Sequence, residues 1–280
     1  MPITLTLPQI STNVRFAITR WLLPDLAAAG AERLFLTPPA RNAASAIDLL
    51  DARDDVVPYR GRLIGAWTWG PRDAPTVVLA HGWGGHAAQL RGFVQPLVRA
   101  GCRVVAYDQP AHGVSDGELT GLPDFADAFA AIAGHYGNVH AAIGHSLGAT
   151  AAAMALARRS VQLEKLVLIS PPSDLEGYSR RFARWHWMPE RLRRSMQRAI
   201  EERYGLRWDE LDVARLAARL EAQALVIHDR HDRQVPWKQG AAFAEHWAGA
   251  ELITTQGLGH ARILVNDAVI DAAAAFLCAR

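Results

Sequence analysis

Short apolar runs alternate along the chain with longer stretches in which apolar side chains recur every three or four positions, and the alternation holds from Val56 onward. The runs Leu63–Trp69, Thr76–Ala80, Arg103–Tyr107, His140–Ile143, Lys165–Ile169, Ala224–His228 and Glu251–Thr255 predict strands. Several are continuously apolar, as strands are when both faces of a sheet are covered. The stretches His86–Ala100, Pro123–His135, Leu147–Arg158, Trp237–Trp247 and Ala261–Leu277 predict helices. A strand-then-helix rhythm of this kind predicts an α/β protein, a mostly parallel sheet flanked by helices.

Two regions depart from the rhythm. The connection between the strands ending at Ile169 and beginning at Ala224 is too long for a loop. It opens on Pro171-Pro172 and carries helical periodicity from Ser179 to about Leu220, so 171–220 reads as a helical insertion above the sheet. The first fifty residues form the other region: Val14–Ala29 has the pattern of an amphipathic helix, and Leu34–Pro39 that of an extended connector. Residues 1–50 are expected to pack on a core made of 51–170 and 221–280, with a dimer contact, and hence a homo-oligomer, as the alternative role.

Composition narrows the class of protein. A chain of 280 residues suits one large domain or one domain with an insertion. The two cysteines, Cys102 and Cys278, lack metal-ligand spacing and read as small buried hydrophobes in a reducing compartment, which makes the cytoplasm the expected location. Arg15, Arg20, Pro24 and Asp25 interrupt the early apolar residues, and Asp271 breaks the run Ala268–Ala279, so neither a signal peptide nor a stable membrane insertion is expected. A net charge of +2 does not predict nucleic acid as a partner. Basic charge is almost all arginine, which weakens the meaning of any local arginine cluster.

Chemistry concentrates at Gly144-His145-Ser146-Leu147-Gly148, where a serine stands between close glycines, after a strand and before a helix. That is the form of a nucleophile elbow, in which the glycines are needed because a β-carbon would clash with the neighbouring strand or helix. A serine hydroxyl needs a base, and the base needs an orienting group. His260, in the turn Gly257-Leu258-Gly259-His260 between the last strand and the last helix, is the candidate base; a solvated loop histidine is the alternative. The loop Asp229–Pro236 offers two acids. Asp232 is favoured because the loop must carry a carboxylate beyond the strand end, while Asp229 suits closing the turn on nearby amides. For the oxyanion, the amide of Leu147 at a helix start is one expected donor, and Trp83 in His81-Gly82-Trp83-Gly84-Gly85, directly after a strand, is the other. His81, His145, His228 and His231 read as scaffold beside these motifs. No metal or other cofactor is expected.

With these motifs in this order, the chain resembles the α/β-hydrolase superfamily, serine esterase type: Ser146, Asp232 and His260 follow the family's order of nucleophile, acid and base. The matched motifs run from about Thr76 to the end of the sequence. Asp108–Ser115 resembles a further family loop, with Ala111 where glycine is usual, and Asp229 also stands where relatives often have glycine. The resemblance implies an α/β-hydrolase fold with 171–220 as a helical cap, in which Phe182, Trp185, Trp187 and Met188 line an apolar substrate pocket or else seat the cap. It implies cleavage of a carboxylic ester of a small or medium, largely apolar substrate by water through an acyl-enzyme on Ser146. Thioesterase, lactonase, perhydrolase-like and C–C bond hydrolase activities use the same triad and stay open, as does a non-catalytic small-molecule binding protein on this fold.

Overall fold

The apolar runs become one sheet. The computed structural model describes residues 24–39, 51–211 and 213–279, and its strands are β1 (Arg53–Tyr59), β2 (Arg62–Trp69), β3 (Thr76–Ala80), β4 (Arg103–Tyr107), β5 (Val139–His145), β6 (Lys165–Ile169), β7 (Gln223–Asp229) and β8 (Ala250–Thr255). They form an eight-stranded sheet in the order β1-β2-β4-β3-β5-β6-β7-β8. β1 pairs antiparallel with β2, and β2 with β4; every pairing from β4 to β8 is parallel. Every residue of β3 and β6 is buried, as the unbroken apolar runs require of strands covered on both faces.

β1 is the strand the sequence pattern does not predict. Its residues Arg-Asp-Asp-Val-Val-Pro-Tyr bury only Val57 and Tyr59, and Pro58 removes an amide donor. An outer strand with one partner tolerates both, because its free edge needs no ladder. The helices hold with local changes. His86–Ala100 divides into a 3-10 helix, Ala87–Phe93, and an α-helix, Val94–Arg99. Ala261–Leu277 also divides: a turn at Gly259–Arg262 and a 3-10 segment at Ile263–Val265 precede the helix Asp267–Cys278. Asn266 starts that last helix by accepting the Val269 amide at 3.2 Å.

Contacts divide the chain into two units, one from Pro38–Ser173 with Val213–Arg280 and one from Met1–Thr37 with Asp174–Asp212. The first holds the sheet. Trp67, Leu79, Phe93, Leu97, Val104, Ile143, Val167, Ile227, Ile263 and Leu277 belong to one continuous buried cluster within it.

The second unit is helical where described: Pro24–Leu36, Leu175–Trp185, Glu190–Tyr204 and a 3-10 turn at Trp208–Leu211. Phe35 stands edge-on to Tyr178, Phe182 and Trp208. Arg193 is buried, and its guanidinium donates to Glu190 at 2.8 Å, Ser179 Oγ at 3.0 Å and Gln197 at 3.0 Å. Leu34–Leu36, expected to be extended, are helical instead. A proline disfavours helix only for the residue before it, here Thr37, so Pro38-Pro39 end the helix without unwinding it. The expected helix Val14–Ala29 lies outside the described residues up to position 23. No helix among the described residues is long and apolar enough to cross a membrane.

Candidate active site

Ser146 occupies the turn between β5 and the helix Leu147–Ala157 with φ 50° and ψ −126°. A serine in this region is strained by about 1–3 kcal/mol, a cost borne when the surroundings leave no other path. Those surroundings are visible. A β-carbon at Gly144 would run into the backbone of Ala149 and Gly148, and one at Gly148 into the carbonyls of His81 and Ala80. The first turn of the helix therefore lies hard against β3 and β5. The Ser146 amide donates to Ile169 O at 2.8 Å, which ties the turn to the end of β6.

The loop after β3 passes directly over the serine. A β-carbon at Gly82 would stand 2.8 Å from Ser146 Cβ and 3.1 Å from His145 O. Two histidines hold this loop, and their contacts fix their tautomers. His81 Nδ1–H donates to Gly82 O at 2.7 Å while its Nε2 accepts the Gln109 amide at 2.8 Å. His112 Nδ1–H donates to Pro110 O at 3.0 Å while its Nε2 accepts the Gly84 amide at 2.9 Å. Burial, reinforced by the neighbouring His112, keeps His81 well below the usual histidine range. The Gly85 amide is taken by Gly82 O at 3.1 Å. Trp83 lies between these anchors, its ring stacked on Phe125. Leu147 is the first helical residue, so its amide has no acceptor within the helix. Both expected oxyanion donors thus belong to backbone that flanks Ser146.

His260 and Asp232 meet at 2.6 Å, Nδ1 to Oδ2. A carboxylate can only accept, so Nδ1 carries a proton in this contact, and in the neutral imidazole Nε2 is the nitrogen that accepts. The side chain of Asp232 is fully buried. Burial alone would raise its pKa, but the hydrogen bonds from His228 and His260 and the Val235 amide outweigh that and hold it far below the usual carboxylate range. Its Oδ1 accepts the amides of Gln234 and Val235 at 2.8 and 2.9 Å, which shapes the loop.

Asp229 does different work. It accepts the His231 amide at 2.9 Å, the Thr255 hydroxyl at 2.8 Å and the Leu258 amide at 3.0 Å. Burial opposes its ionisation, and these donors overcome it, so its pKa is lowered. It fastens the loop that carries His260 to the end of β7.

The contacts of the residues read as scaffold, which the sequence could not supply, are specific. His145 Nε2–H donates to His260 O at 3.0 Å, and the two rings lie 4.7 Å apart between centroids. His228 Nε2–H donates to Val235 O at 3.0 Å and stands 3.5 Å from Asp232 Oδ2. Their adjacency to motif residues was the only available signal, since each acts on a partner distant in sequence or through backbone. Asp108 accepts the Ala87 and Val114 amides at 2.8 and 2.9 Å. Ala111 stands at φ 65°, the left-handed region that favours glycine, in the position where the family loop carries glycine.

The four candidate pocket residues lie in the helical unit. Phe182 packs on Phe35 at 4.9 Å and on His186 at 4.5 Å, Met188 is buried, and Trp185 and Trp187 are exposed. Among the described residues, no group of three or more histidine, cysteine or acidic side chains is placed to hold a metal ion.

Residues 77–272 match the model of the alpha/beta hydrolase family, and the chain belongs to that family. It is 27% identical over 242 residues to a bifunctional esterase/perhydrolase of Acinetobacter calcoaceticus, covering 69% of this chain and 87% of that protein. It is 26% identical over 257 residues to a non-heme chloroperoxidase of Streptomyces lividans, covering 72% and 91%. Among solved structures, an esterase of Pyrococcus furiosus superposes with a TM-score of 0.64 at 22% identity, over 86% of this chain and 96% of that one. The sheet and flanking helices are those of the alpha/beta hydrolases.

Proposed function

We propose that the chain is a serine hydrolase that cleaves carboxylic esters of small or medium, largely apolar substrates through an acyl-enzyme on Ser146. The observation that carries this reading is the 2.6 Å contact between His260 Nδ1 and Asp232, which leaves Nε2 as a base. In the proposed cycle Nε2 takes the Ser146 proton as Oγ attacks the ester carbonyl. The amides of Leu147 and Trp83 hold the resulting oxyanion, and Asp232, held ionised, stabilises the imidazolium. His260 then gives its proton to the departing alcohol. Water repeats the sequence on the acyl-enzyme, which releases the acid and restores Ser146.

The substrate and water are the only partners this cycle needs, and it uses no cofactor. The similarity to an esterase/perhydrolase supports acyl transfer as the reaction. A cytoplasmic location is part of the proposal, supported by two cysteines that stand as free thiols.

Labelling by a fluorophosphonate and hydrolysis of p-nitrophenyl butyrate test the reading together. Wild-type protein is expected to take one label and turn over the ester, faster than it cleaves peptide amides or long-chain triglycerides. Ser146→Ala is expected to lose the label and at least about 10³-fold in kcat with its circular dichroism unchanged. Near-normal hydrolysis by that variant would remove Ser146 from the mechanism.

A further inference from the structure

In the helical unit, Leu175–Trp185 and Glu190–Tyr204 form a hairpin, held by Arg193, which reaches back to Ser179 Oγ at 3.0 Å and to Glu176 at 3.1 Å. The turn between them breaks a local rule. The first helix ends in a Schellman motif, with the Trp187 amide donating to Arg184 O at 3.3 Å and the Met188 amide to Ala183 O at 2.8 Å. The left-handed residue of that motif is ordinarily glycine; here it is Trp187, at φ 52°. A tryptophan held there is strained. Burial does not offset the strain, since Trp187 is 59% exposed and its neighbour Trp185 is 56% exposed. Two indole rings therefore stand in water at the tip of the hairpin.

Charge is concentrated in the same stretch. From Arg180 to Arg198 the sequence carries seven arginines and one acid, Glu190, a net +6 in a chain whose total is +2. The chain-wide preference for arginine over lysine explains the choice of cation but not this excess. Glu190 is already shared by Arg193 and Arg194, at 2.8 and 3.0 Å. Arg184 and Arg191, on either side of the turn, are exposed and form no ion pair among the described residues. Arg191 also lies in the first turn of its helix, where the positive end of the helix dipole disfavours a cation. At two positions, then, the tip departs from what would stabilise the hairpin alone, which is the mark of a surface built for a partner.

We propose that this tip docks on an anionic lipid bilayer, with Trp185 and Trp187 entering the headgroup region and Arg184 and Arg191 meeting lipid phosphates and carboxylates. An indole has an apolar body and one N–H donor, and it settles where hydrocarbon gives way to water. A guanidinium pairs its N–H groups with phosphate or carboxylate oxygens. Each cation brought to an anionic membrane surface strengthens binding about fivefold. A protein partner fits the tip less well, because the centre of a protein interface is depleted of charge and these tryptophans are bracketed by unpaired cations. The contact is peripheral and needs no spanning helix. It is independent of the triad.

The test sediments the full chain with vesicles of phosphatidylcholine containing about 30% phosphatidylserine, and with vesicles of phosphatidylcholine alone, at about 0.1 M salt. Binding to the mixed vesicles is expected to be at least about tenfold tighter than to the neutral ones, and to weaken about tenfold when salt is raised to about 0.5 M. Trp185→Ser/Trp187→Ser and Arg184→Gln/Arg191→Gln change exposed positions, so both double variants are expected to keep their circular dichroism and each to bind about tenfold more weakly. Ser146→Ala is expected to bind as wild type does, so failure of the hydrolase reading would leave this result standing. Equal binding to the two kinds of vesicle, or unchanged binding by the tryptophan double variant, would overturn the proposal. So would retention on heparin without sedimentation with vesicles, which would make the tip a site for a soluble polyanion.

Discussion

Asp232 and Asp229 sit three positions apart and accept comparable numbers of hydrogen bonds, yet only Asp232 touches the imidazole. Asp232→Asn would offer His260 an amide in place of a carboxylate, favour the wrong tautomer and remove the charge that balances the imidazolium. The expected result is a kcat lower by about 10³- to 10⁴-fold with modest change in stability. Asp229→Asn instead turns an N–H toward one of three donors, so its expected signature is about 1–3 kcal/mol of stability lost with a much smaller effect on kcat. Kinetics and urea unfolding on both variants separate the roles; the reverse ranking of kcat would move the acid to Asp229. His145 makes a prediction of another kind. Burial, then the nearby His260, pushes it down to about 3 in the folded chain, whereas an unfolded histidine takes its proton near 6.5. The folded value is the lower one, so between about 6.5 and 3 the unfolded chain binds the extra proton. Stability is expected to fall as pH falls through that window, by up to about 1.4 kcal/mol per pH unit. His145→Gln keeps a donor for His260 O without the titration, so its urea midpoint should decline less steeply from pH 7 to pH 4; parallel slopes would refute the assignment. The pairing of His260 with Asp232 was legible in the sequence because each stands in its own short glycine- or loop-marked motif. The histidine supports were not, because nothing in the sequence ties His145 to the carbonyl of a residue 115 positions away.

Seven of the eight strands follow the apolar runs to within two residues; for β3 and β6 the reason is burial on both faces, which writes itself into sequence as an uninterrupted hydrophobic stretch, whereas β8 was found without any fully buried residue. β1 carries no such mark, since most of it faces solvent. The broken helices at His86–Ala100 and Ala261–Leu277 were legible as helical periodicity but not as breaks, which depend on Asn266 capping and on local 3-10 geometry. Glycine spacing proved more informative than periodicity at the elbow. At Gly148 a β-carbon would stand 2.5 Å from Ala80 O, so helix and strand must separate to admit it. Gly148→Ala is expected to destabilise the fold by about 3 kcal/mol, read as a lower denaturation midpoint. A variant as stable as wild type would mean that the elbow has slack the structure does not show.

Strand and helix alternation was enough to recover the α/β class and, with the motifs, the family. Strand order was not recoverable from pattern alone: β4 lies outside β3 and receives β2 antiparallel, a choice made by pairings between distant segments. The grouping of Pro24–Leu36 with Asp174–Asp212 in one helical unit is likewise written in contacts such as Phe35 against Tyr178, Phe182 and Trp208 rather than in either segment. Lys165, at the start of β6, donates from Nζ to the carbonyls of Phe276 and Ala279, and this has a practical side. The sequence contains two lysines, Lys165 and Lys238; the first is buried with its amine committed to two carbonyls, and the second is exposed at the start of the helix Trp237–His246. Succinimidyl esters are therefore expected to acylate Lys238 and spare Lys165, as peptide mapping would show. An arginine-rich surface with a single available lysine amine makes this protein a scaffold on which a dye, a tether or a solid support can be attached at one chosen side-chain address.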